Sequence, residues 1–494
     1  MRFLCPYYAL SSIFLSVRPL SVAMNRLLRV VLLLCTVSFA FSAQAQVLES
    51  AQLIEQYDVQ GLQSLGIPNA ENGVAVYKLR YWTPDVDGNL SIASAAMVSP
   101  DLPCAVPLVC FIHGTMFLKE NAPSQWYNTT GTSQSGLTLG ALGLACVLPD
   151  LLGLGDSPGL HPYLIASTSA RTSMDAVRAA REFQAQLERP LNGQLFLMGV
   201  SAGGQTCMAT NQAMQEQFPE EFQVTASVSI SGPLVMDPTM RSVFLQTQAY
   251  GGRSAAVYAW LSYKQAYPEL FSTISDIFIP PYDVSILPYF DGTHDSQEIN
   301  QAIPNAPGSI LQPVLKQAMQ ADPGYAVNLR IRENNTYTWT PQNPIRLYYC
   351  GGDVLVPPNC SKIAFDSLVA RGAQHAELIE SSATAGHEQC GALSRPQAYA
   401  WFKSLSLPCD DCATDSDGDL TPDCNDHCPT DPLKTDPGTC GCGVADTDTD
   451  LDGTADCNDR CPSDPLKTDP GTCGCGVADG HGSGWHSGLH RRLP

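Results

Sequence analysis

The sequence comprises 494 residues, of which 44% are hydrophobic, and it carries a net charge of −21. This length allows one large hydrophobic core and an accessory region. Because the chain is strongly acidic and has no basic, aromatic-rich surface pattern, we expect no nucleic-acid partner.

Residues 1–45 have the features of an export signal. A charged start at residues 24–29 precedes the apolar run 30–41, and residues 43–45 (Ala-Gln-Ala) fit a cleavage site. We therefore expect Met24 to be the true start and the mature protein to be secreted or held at the cell surface. A membrane anchor is the alternative, but the apolar run is shorter than the ~20 residues that span a bilayer. No later stretch predicts a transmembrane segment.

Strand-like and helix-like stretches alternate over residues 46–408, which predicts an α/β fold with a mostly parallel sheet. Helical spacing of apolar residues predicts a helix over 172–187, and a second helix-like stretch covers 395–405. Residues 233–343 form a helical insertion, which we interpret as a cap over the active site. A buried helical subdomain is the alternative. The predicted strands cover residues 74–82, 91–99, 108–112, 145–148, 195–198, 225–229, 345–349 and 377–379.

The run Gly-Val-Ser-Ala-Gly at 199–203 follows an apolar strand and precedes a helix-like segment. Strand, Gly-x-Ser-x-Gly turn and helix together predict a nucleophile elbow, in which the serine hydroxyl is exposed above the sheet. The sequence therefore predicts Ser201 as the nucleophile of a serine hydrolase.

A serine hydroxyl needs a neighbouring base, and the base needs an acid that orients it. His387 follows the last predicted strand and Asp353 follows the strand 345–349, so the chain order is Ser, Asp, His. A turn-forming aspartate and a surface-loop histidine are the alternatives. His161 and His375 fit the required placement less well.

The residues His113-Gly114-Thr115 end an apolar strand. A His-Gly pair at this place shapes a loop that supplies one N–H of an oxyanion hole, and the residue after the nucleophile supplies the other. We therefore predict the backbone N–H groups of Ala202 and Thr115 as the oxyanion hole. A plain turn at the strand end is the alternative.

The composition changes after residue 408. Residues 409–479 contain 18 of the aspartates, no glutamate and three basic residues, and residues 431–446 recur identically at 464–479. Few aliphatic residues are available there, so metal ions and disulfides must hold this tail in shape. Residues 480–494 break the repeat, and we interpret them as a frameshifted or truncated third copy.

Aspartates at alternate positions around a tight turn suit calcium, which prefers oxygen ligands. The first copy departs from the pattern at Leu420, where the turn glycine is expected. An EF-hand is the competing metal site, and a solvated acidic linker is the alternative without a metal. The predicted ligands are Asp415, Asp417, Asp419, Asp423 and Asp426 in the first copy, and Asp448, Asp450, Asp452, Asp456 and Asp459 in the second.

The nucleophile turn, the predicted acid and base and the His113–Thr115 loop together resemble the α/β-hydrolase superfamily. The motifs at 148–155, 175–179 and 199–204 resemble more closely its secreted lipase and carboxylesterase branch, and the resemblance covers about residues 70–405. The tail resembles thrombospondin type 3 repeats, whose aspartates bind calcium with disulfide support. The resemblance implies an exported enzyme that acts on small-molecule or lipid esters without a catalytic cofactor. The repeats are then a structural calcium region and a candidate for contact with a cell surface or matrix.

Two other functions remain open at this point. One is a peptidase of the same superfamily, for which the three site residues would look identical. The other is a calcium-dependent adhesion protein with an inactive hydrolase body.

Overall fold

The computed structural model describes residues 46–126, 131–409, 415–423 and 426–478. The chain divides into two units, Met1–Gln46 and Val47–Pro494, and the elements named here belong to the second. The predicted export signal and the divergent terminus at 480–494 lie outside the described residues.

Nine strands form one sheet in the order β1-β2-β3-β5-β4-β6-β7-β8-β9. The strands from β5 through β4 to β9 pair in parallel, whereas β1, β2, β3 and β5 pair antiparallel. The predicted mostly parallel sheet is therefore confirmed. The strands are β1 (Leu48–Tyr57), β2 (Val74–Pro84), β3 (Leu90–Pro100), β4 (Val106–Ile112), β5 (Ala145–Pro149), β6 (Leu191–Val200), β7 (Val224–Ile230), β8 (Ile345–Cys350) and β9 (Ala376–Ser382).

The central strands follow from their apolar sequences. All residues of β4 are buried, because β5 and β6 flank it and helices cover both faces. Strands buried on both faces read as continuous apolar runs, which is why the sequence predicts them well.

Strand β1 is absent from the prediction. It is an edge strand whose residues are mostly exposed, so its sequence lacks the apolar alternation that signals a strand. It pairs with β2, and the N–H groups of Val47 and Leu48 donate to the Glu182 carboxylate at 2.9 Å each.

Helices cover both faces of the sheet. On one face α3 (Ala166–Gln186) and α4 (Ala202–Gln217) pack over β4 and β6. On the other face lie α1 (Val59–Ser64), α2 (Gly131–Ala141) and α12 (His387–Leu405). Two helices begin earlier than predicted: α3 begins at Ala166, and α12 begins at His387. Pro396 therefore lies inside α12.

The chain between β7 and β8 is helical, and α11 (Asn359–Ala370) follows β8. The helices of this insertion share a hydrophobic core that includes Phe244, Trp260 and Ile331 and reaches Ala202 of α4. They are α5 (Arg241–Leu245), α6 (Arg253–Ala266), α7 (Tyr282–Ser285), α8 (Ser296–Ala302), α9 (Pro313–Ala321) and α10 (Ala326–Glu333).

The described part of the tail contains turns without a regular helix or strand. Disulfides join Cys428 to Cys442, Cys440 to Cys457, and Cys461 to Cys475. The first and third pairings are equivalent in the repeat. A further disulfide, Cys104–Cys409, fixes the start of the tail to the chain before β4. Among the described helices, none combines the length and apolarity needed to cross a bilayer.

Candidate functional site

Ser201 lies in the sharp turn between β6 and α4, with φ 56° and ψ −126°. Such a backbone conformation costs a non-glycine residue about 1–3 kcal/mol and is typical of active sites. A Cβ atom at Gly203 would overlap the carbonyl oxygens of Ile112 and His113, and one at Gly199 would overlap the Gly203 carbonyl. The two glycines are therefore required by the close approach of α4 to the strands.

The structure brings Ser201, His387 and Asp353 together. The Nε2 atom of His387 lies 2.8 Å from Ser201 Oγ, and its Nδ1 atom lies 2.6 Å from Asp353 Oδ2. An ionised aspartate accepts hydrogen bonds only, so Nδ1–H donates to it and Nε2 faces the hydroxyl with a lone pair. This is the arrangement that removes a proton from serine during nucleophilic attack.

Asp353 is held rigidly. It follows β8 and is 5% exposed, and its Oδ1 atom accepts the N–H groups of Leu355 and Val356 at 2.9 Å each. His387 is the first residue of α12, and the disulfide Cys350–Cys390 links the end of β8 to the first turn of that helix.

Ala202 and Thr115 both lie beside the serine. As the first residue of α4, Ala202 has an N–H without an intrahelical partner. The loop before Thr115 passes so close that a Cβ at Gly114 would lie 3.3 Å from the Val200 carbonyl oxygen. Ala202 follows Ser201 directly, and Thr115, the residue after Gly114, lines the same cavity as Ser201.

Two interactions that fix this loop are absent from the prediction. The Thr115 hydroxyl lies 2.6 Å from the hydroxyl of Tyr163, and burial raises the pKa of Tyr163 to about 12, so the phenol stays protonated. The ring nitrogens of His113 lie 2.6 Å and 2.9 Å from the carbonyl oxygens of Gly114 and Asp150. The contacts of Thr115 with Tyr163 and of His113 with Asp150 join residues far apart in the chain, so the sequence carries no local signal for them.

The competing histidines do not reach Ser201. His161 is buried, its Nδ1 atom lies 2.8 Å from the Leu152 carbonyl oxygen, and burial lowers its pKa to about 3. His375 is exposed and directly precedes β9.

A cavity of about 370 Å³ opens above Ser201. The sheet side contributes Ser201, His387 and Thr115, and the helical insertion contributes apolar and aromatic side chains. The apolar and aromatic residues include Met240, Phe244 and Tyr250. The insertion also contributes the polar residues Ser254, Ser296 and Asn300. Such a cavity is suited to a small organic substrate.

The described part of the tail contains two clusters of carboxylates one repeat apart. Carboxylate oxygens of Asp415, Asp417 and Asp419 lie within 4.8 Å of one another, and those of the corresponding residues Asp448, Asp450 and Asp452 do the same. Burial and neighbouring carboxylates raise the pKa of Asp417 and of Asp450.

These clusters fit a hard cation. The Oδ2 atoms of Asp417, Asp426, Asp450 and Asp459 are buried and have no hydrogen-bond partner among the described residues. Asp423 and Asp456 instead accept hydrogen bonds on both oxygens, from Ser416 and Thr449 respectively. Unsatisfied carboxylate oxygens at this spacing are the ligands that calcium takes.

The first cluster preserves the turn despite its missing glycine. Leu420 has φ 76°, the left-handed conformation that Gly453 adopts at the same place in the second copy. Conversely, Leu451 has φ 65° where the first copy has Gly418. Each copy therefore has one leucine in a conformation that favours glycine.

Comparisons with solved structures agree with this architecture. The rice cell wall degrading esterase LipA from Xanthomonas oryzae is 25% identical with a TM-score of 0.66, covering 73% of this chain and 97% of LipA. A candidate hydrolase of Legionella pneumophila is 26% identical with a TM-score of 0.66, covering 73% of this chain and 98% of that chain. Candida antarctica lipase A in its closed state shares the fold at 14% identity, with a TM-score of 0.57 and coverage of 74% and 82%.

A comparison with curated protein sequences finds no match. The sequence model of the alpha/beta hydrolase family, by contrast, matches residues 111–400. This range includes β6, the Ser201 turn, Asp353 and His387. This match spans more than half of the sequence and agrees with the strand order, so the chain belongs to the alpha/beta hydrolase family.

Proposed function

We propose that the protein is an exported serine ester hydrolase, similar to lipases and carboxylesterases, that acts through an acyl-enzyme. One observation carries the proposal: His387 bridges Ser201 and Asp353 with contacts of 2.8 Å and 2.6 Å. The tail disulfides support export, because disulfides persist in oxidising compartments.

In the first half-reaction, Ser201 Oγ attacks the ester carbonyl carbon and its proton passes to His387 Nε2. The N–H groups of Ala202 and Thr115 bind the oxyanion, and the buried carboxylate of Asp353 stabilises the imidazolium. Collapse of the tetrahedral intermediate breaks the ester C–O bond, and the imidazolium returns the proton to the departing alcohol. Water then repeats these steps on the acyl-enzyme and releases the carboxylic acid.

An ester is the substrate class with the most support. LipA of Xanthomonas oryzae is an esterase with the same fold over most of its length. The lining of the cavity includes the aromatic residues Phe117, Tyr163, Phe244 and Tyr250, which suit the apolar part of a small-molecule or lipid ester. The helical insertion then acts as a cap that sets which acyl and alcohol groups fit.

Ser201→Ala tests the proposal. We expect complete loss of p-nitrophenyl butyrate hydrolysis with an unchanged melting temperature, since a small side chain at the rim of a cavity contributes little stability. An organophosphonate probe should label the wild-type protein and not the variant. Activity near that of the wild type in Ser201→Ala would overturn the assignment of the nucleophile.

The same assay separates the alternatives. Hydrolysis of aminoacyl anilides in preference to p-nitrophenyl butyrate would indicate a peptidase. A wild-type protein that resists the organophosphonate, yet binds cells or matrix only with calcium, would indicate an adhesion protein.

We further propose that the tail binds structural calcium ions and is a thrombospondin type 3-like region. The unsatisfied oxygens of Asp417 and Asp450, and the repeated disulfide pairing, support this. Calcium there stabilises the turns and takes no part in ester hydrolysis.

A further inference from the structure

We infer that Arg395 gives the enzyme a preference for esters that carry an anionic oxygen group, a carboxylate or a phosphate. The inference rests on the proposed function, because it assigns the substrate class of the Ser201 site. Arg395 lies on α12 and lines the same cavity as Ser201 and His387.

The guanidinium of Arg395 lacks the carboxylate partners that Arg178 and Arg241 have. Arg178 is paired with Asp175 and Glu221 at 2.6 Å, and Arg241 is paired with Asp237 at 2.6 Å. Arg395, by contrast, forms no ion pair with any described residue, and its Nε atom is buried without a hydrogen-bond partner. A permanently charged group in a cavity is costly to leave unpaired.

No charged residue pairs with Arg395 in the described part of the chain. Glu388 also lines the cavity, seven residues before Arg395 on α12, but no ion pair joins the two side chains. Among the described lining residues, Arg395 is the one lysine or arginine.

Two glycines lie against the guanidinium, and their lack of side chains provides the space that it occupies. A Cβ at Gly391 would lie 3.3 Å from Arg395 Nη2, and one at Gly131 would lie 3.4 Å from Nη1. Gly391 also contacts the turn of the nucleophile, since its Cβ would lie 3.5 Å from Val200. The guanidinium is therefore separated from the residue before Ser201 by one small residue.

The chemistry of the group defines the ligand. A guanidinium offers a planar fork of donors that matches the oxygens of a carboxylate or phosphate. Long side chains on a helix lean toward its N-terminus, which in α12 is the end that carries His387. An anion bound there would belong to a substrate whose ester group lies at Ser201.

Matched substrate pairs test the inference. On the alcohol side, p-acetoxybenzoate is compared with neutral p-acetoxybenzamide, and p-acetoxyphenyl phosphate distinguishes phosphate from carboxylate. On the acyl side, the mono-p-nitrophenyl ester of glutaric acid is compared with p-nitrophenyl pentanoate. The values of kcat and KM are measured for the wild type, Arg395→Gln, Arg395→Lys and the control Arg371→Gln, whose side chain is exposed and outside the cavity.

We expect Arg395→Gln to lower kcat/KM for an anionic substrate about tenfold or more, chiefly through KM, with a neutral partner changed less than about twofold. Arg395→Lys should restore part of the loss, and Arg371→Gln should behave as wild type. Equal losses on both members of every pair, or an unchanged preference, would overturn the inference.

A binding measurement separates this inference from the esterase proposal. In the Ser201→Ala background, calorimetry with p-acetoxybenzoate should show binding that Arg395→Gln weakens by a similar factor. If the wild type hydrolysed no ester, the esterase proposal would fail while this titration still decided the role of Arg395. Equal affinity with and without Arg395 would refute the anion site.

Discussion

The two carboxylate oxygens of Asp353 have different hydrogen-bond partners. Its Oδ2 atom contacts His387 Nδ1, while Oδ1 accepts two backbone N–H groups of the following turn. Because the turn fixes the carboxylate, the imidazole has one orientation in which it can form both of its contacts. In the proposed mechanism the residue therefore sets the tautomer of His387 and stabilises the imidazolium that forms during attack.

Asp353→Asn should keep the shape of the site and lose most of the activity. The amide can still accept from the turn, but it cannot stabilise the imidazolium and it favours the wrong tautomer. We expect kcat for p-nitrophenyl butyrate to fall by roughly 10³-fold or more. Asp366→Asn, at an exposed position on α11, is the control with the same charge change. A variant at Asp353 that kept a tenth of the wild-type kcat would contradict this role.

How well a residue can be predicted from sequence depends on how local its constraint is. The five-residue motif around Ser201 reveals the turn by itself, although Gly203 is also required by the close approach of the Ile112 and His113 carbonyl groups. Tyr163 and Arg395 have their roles only because distant segments meet at the cavity. Spacing along the chain does not encode such contacts.

At the scale of elements, the Asp353 turn and the start of α12 belong to different strand–helix connections. The disulfide Cys350–Cys390 joins them, with one cysteine three residues before Asp353 and the other three residues after His387. Both sulfur atoms are buried next to Ala385. This bridge adds a covalent link between the two connections to the pairing of β8 with β9.

Removing that bridge should affect catalysis more than binding. For the double variant Cys350→Ala/Cys390→Ala we expect unfolding free energy to fall by about 3–4 kcal/mol, and kcat by roughly tenfold with KM nearly unchanged. Urea unfolding and ester kinetics measure the two effects. The double variant Cys428→Ala/Cys442→Ala, in the tail, is the control for loss of a disulfide. If both variants left kcat equal to the wild type, the bridge would be purely structural.

Secondary-structure elements differ in how well they can be predicted from the sequence. The buried parallel strands were predictable because both of their faces require apolar residues. The edge strand β1 was not, since its exposed residues carry no pattern and its place is set by pairing with β2. In the insertion, the helical character was predictable, whereas the wall it forms around the cavity depends on packing.

At the scale of the whole molecule, the body and the tail are stabilised by different forces. The body buries continuous apolar layers on both sides of its sheet. In the tail the leucines face solvent: Leu420, Leu433, Leu451 and Leu466 are 85–91% exposed. Burial of apolar surface therefore contributes little there, and the disulfides and the cations proposed for the carboxylate clusters remain as sources of order.

If the tail binds calcium as proposed, a chelator should loosen the tail and leave ester hydrolysis unchanged. Without a cation, the carboxylates around Asp417 and Asp450 repel one another in each turn. We expect a calcium chelator to increase amide hydrogen exchange across residues 415–478, while kcat for p-nitrophenyl butyrate stays within about twofold of its initial value. Asp417→Asn/Asp450→Asn should reproduce the loosening, whereas Asp436→Asn, outside both clusters, should not. Loss of activity in step with increased exchange in the tail would show that the body depends on the repeats, and unchanged exchange would argue against calcium binding.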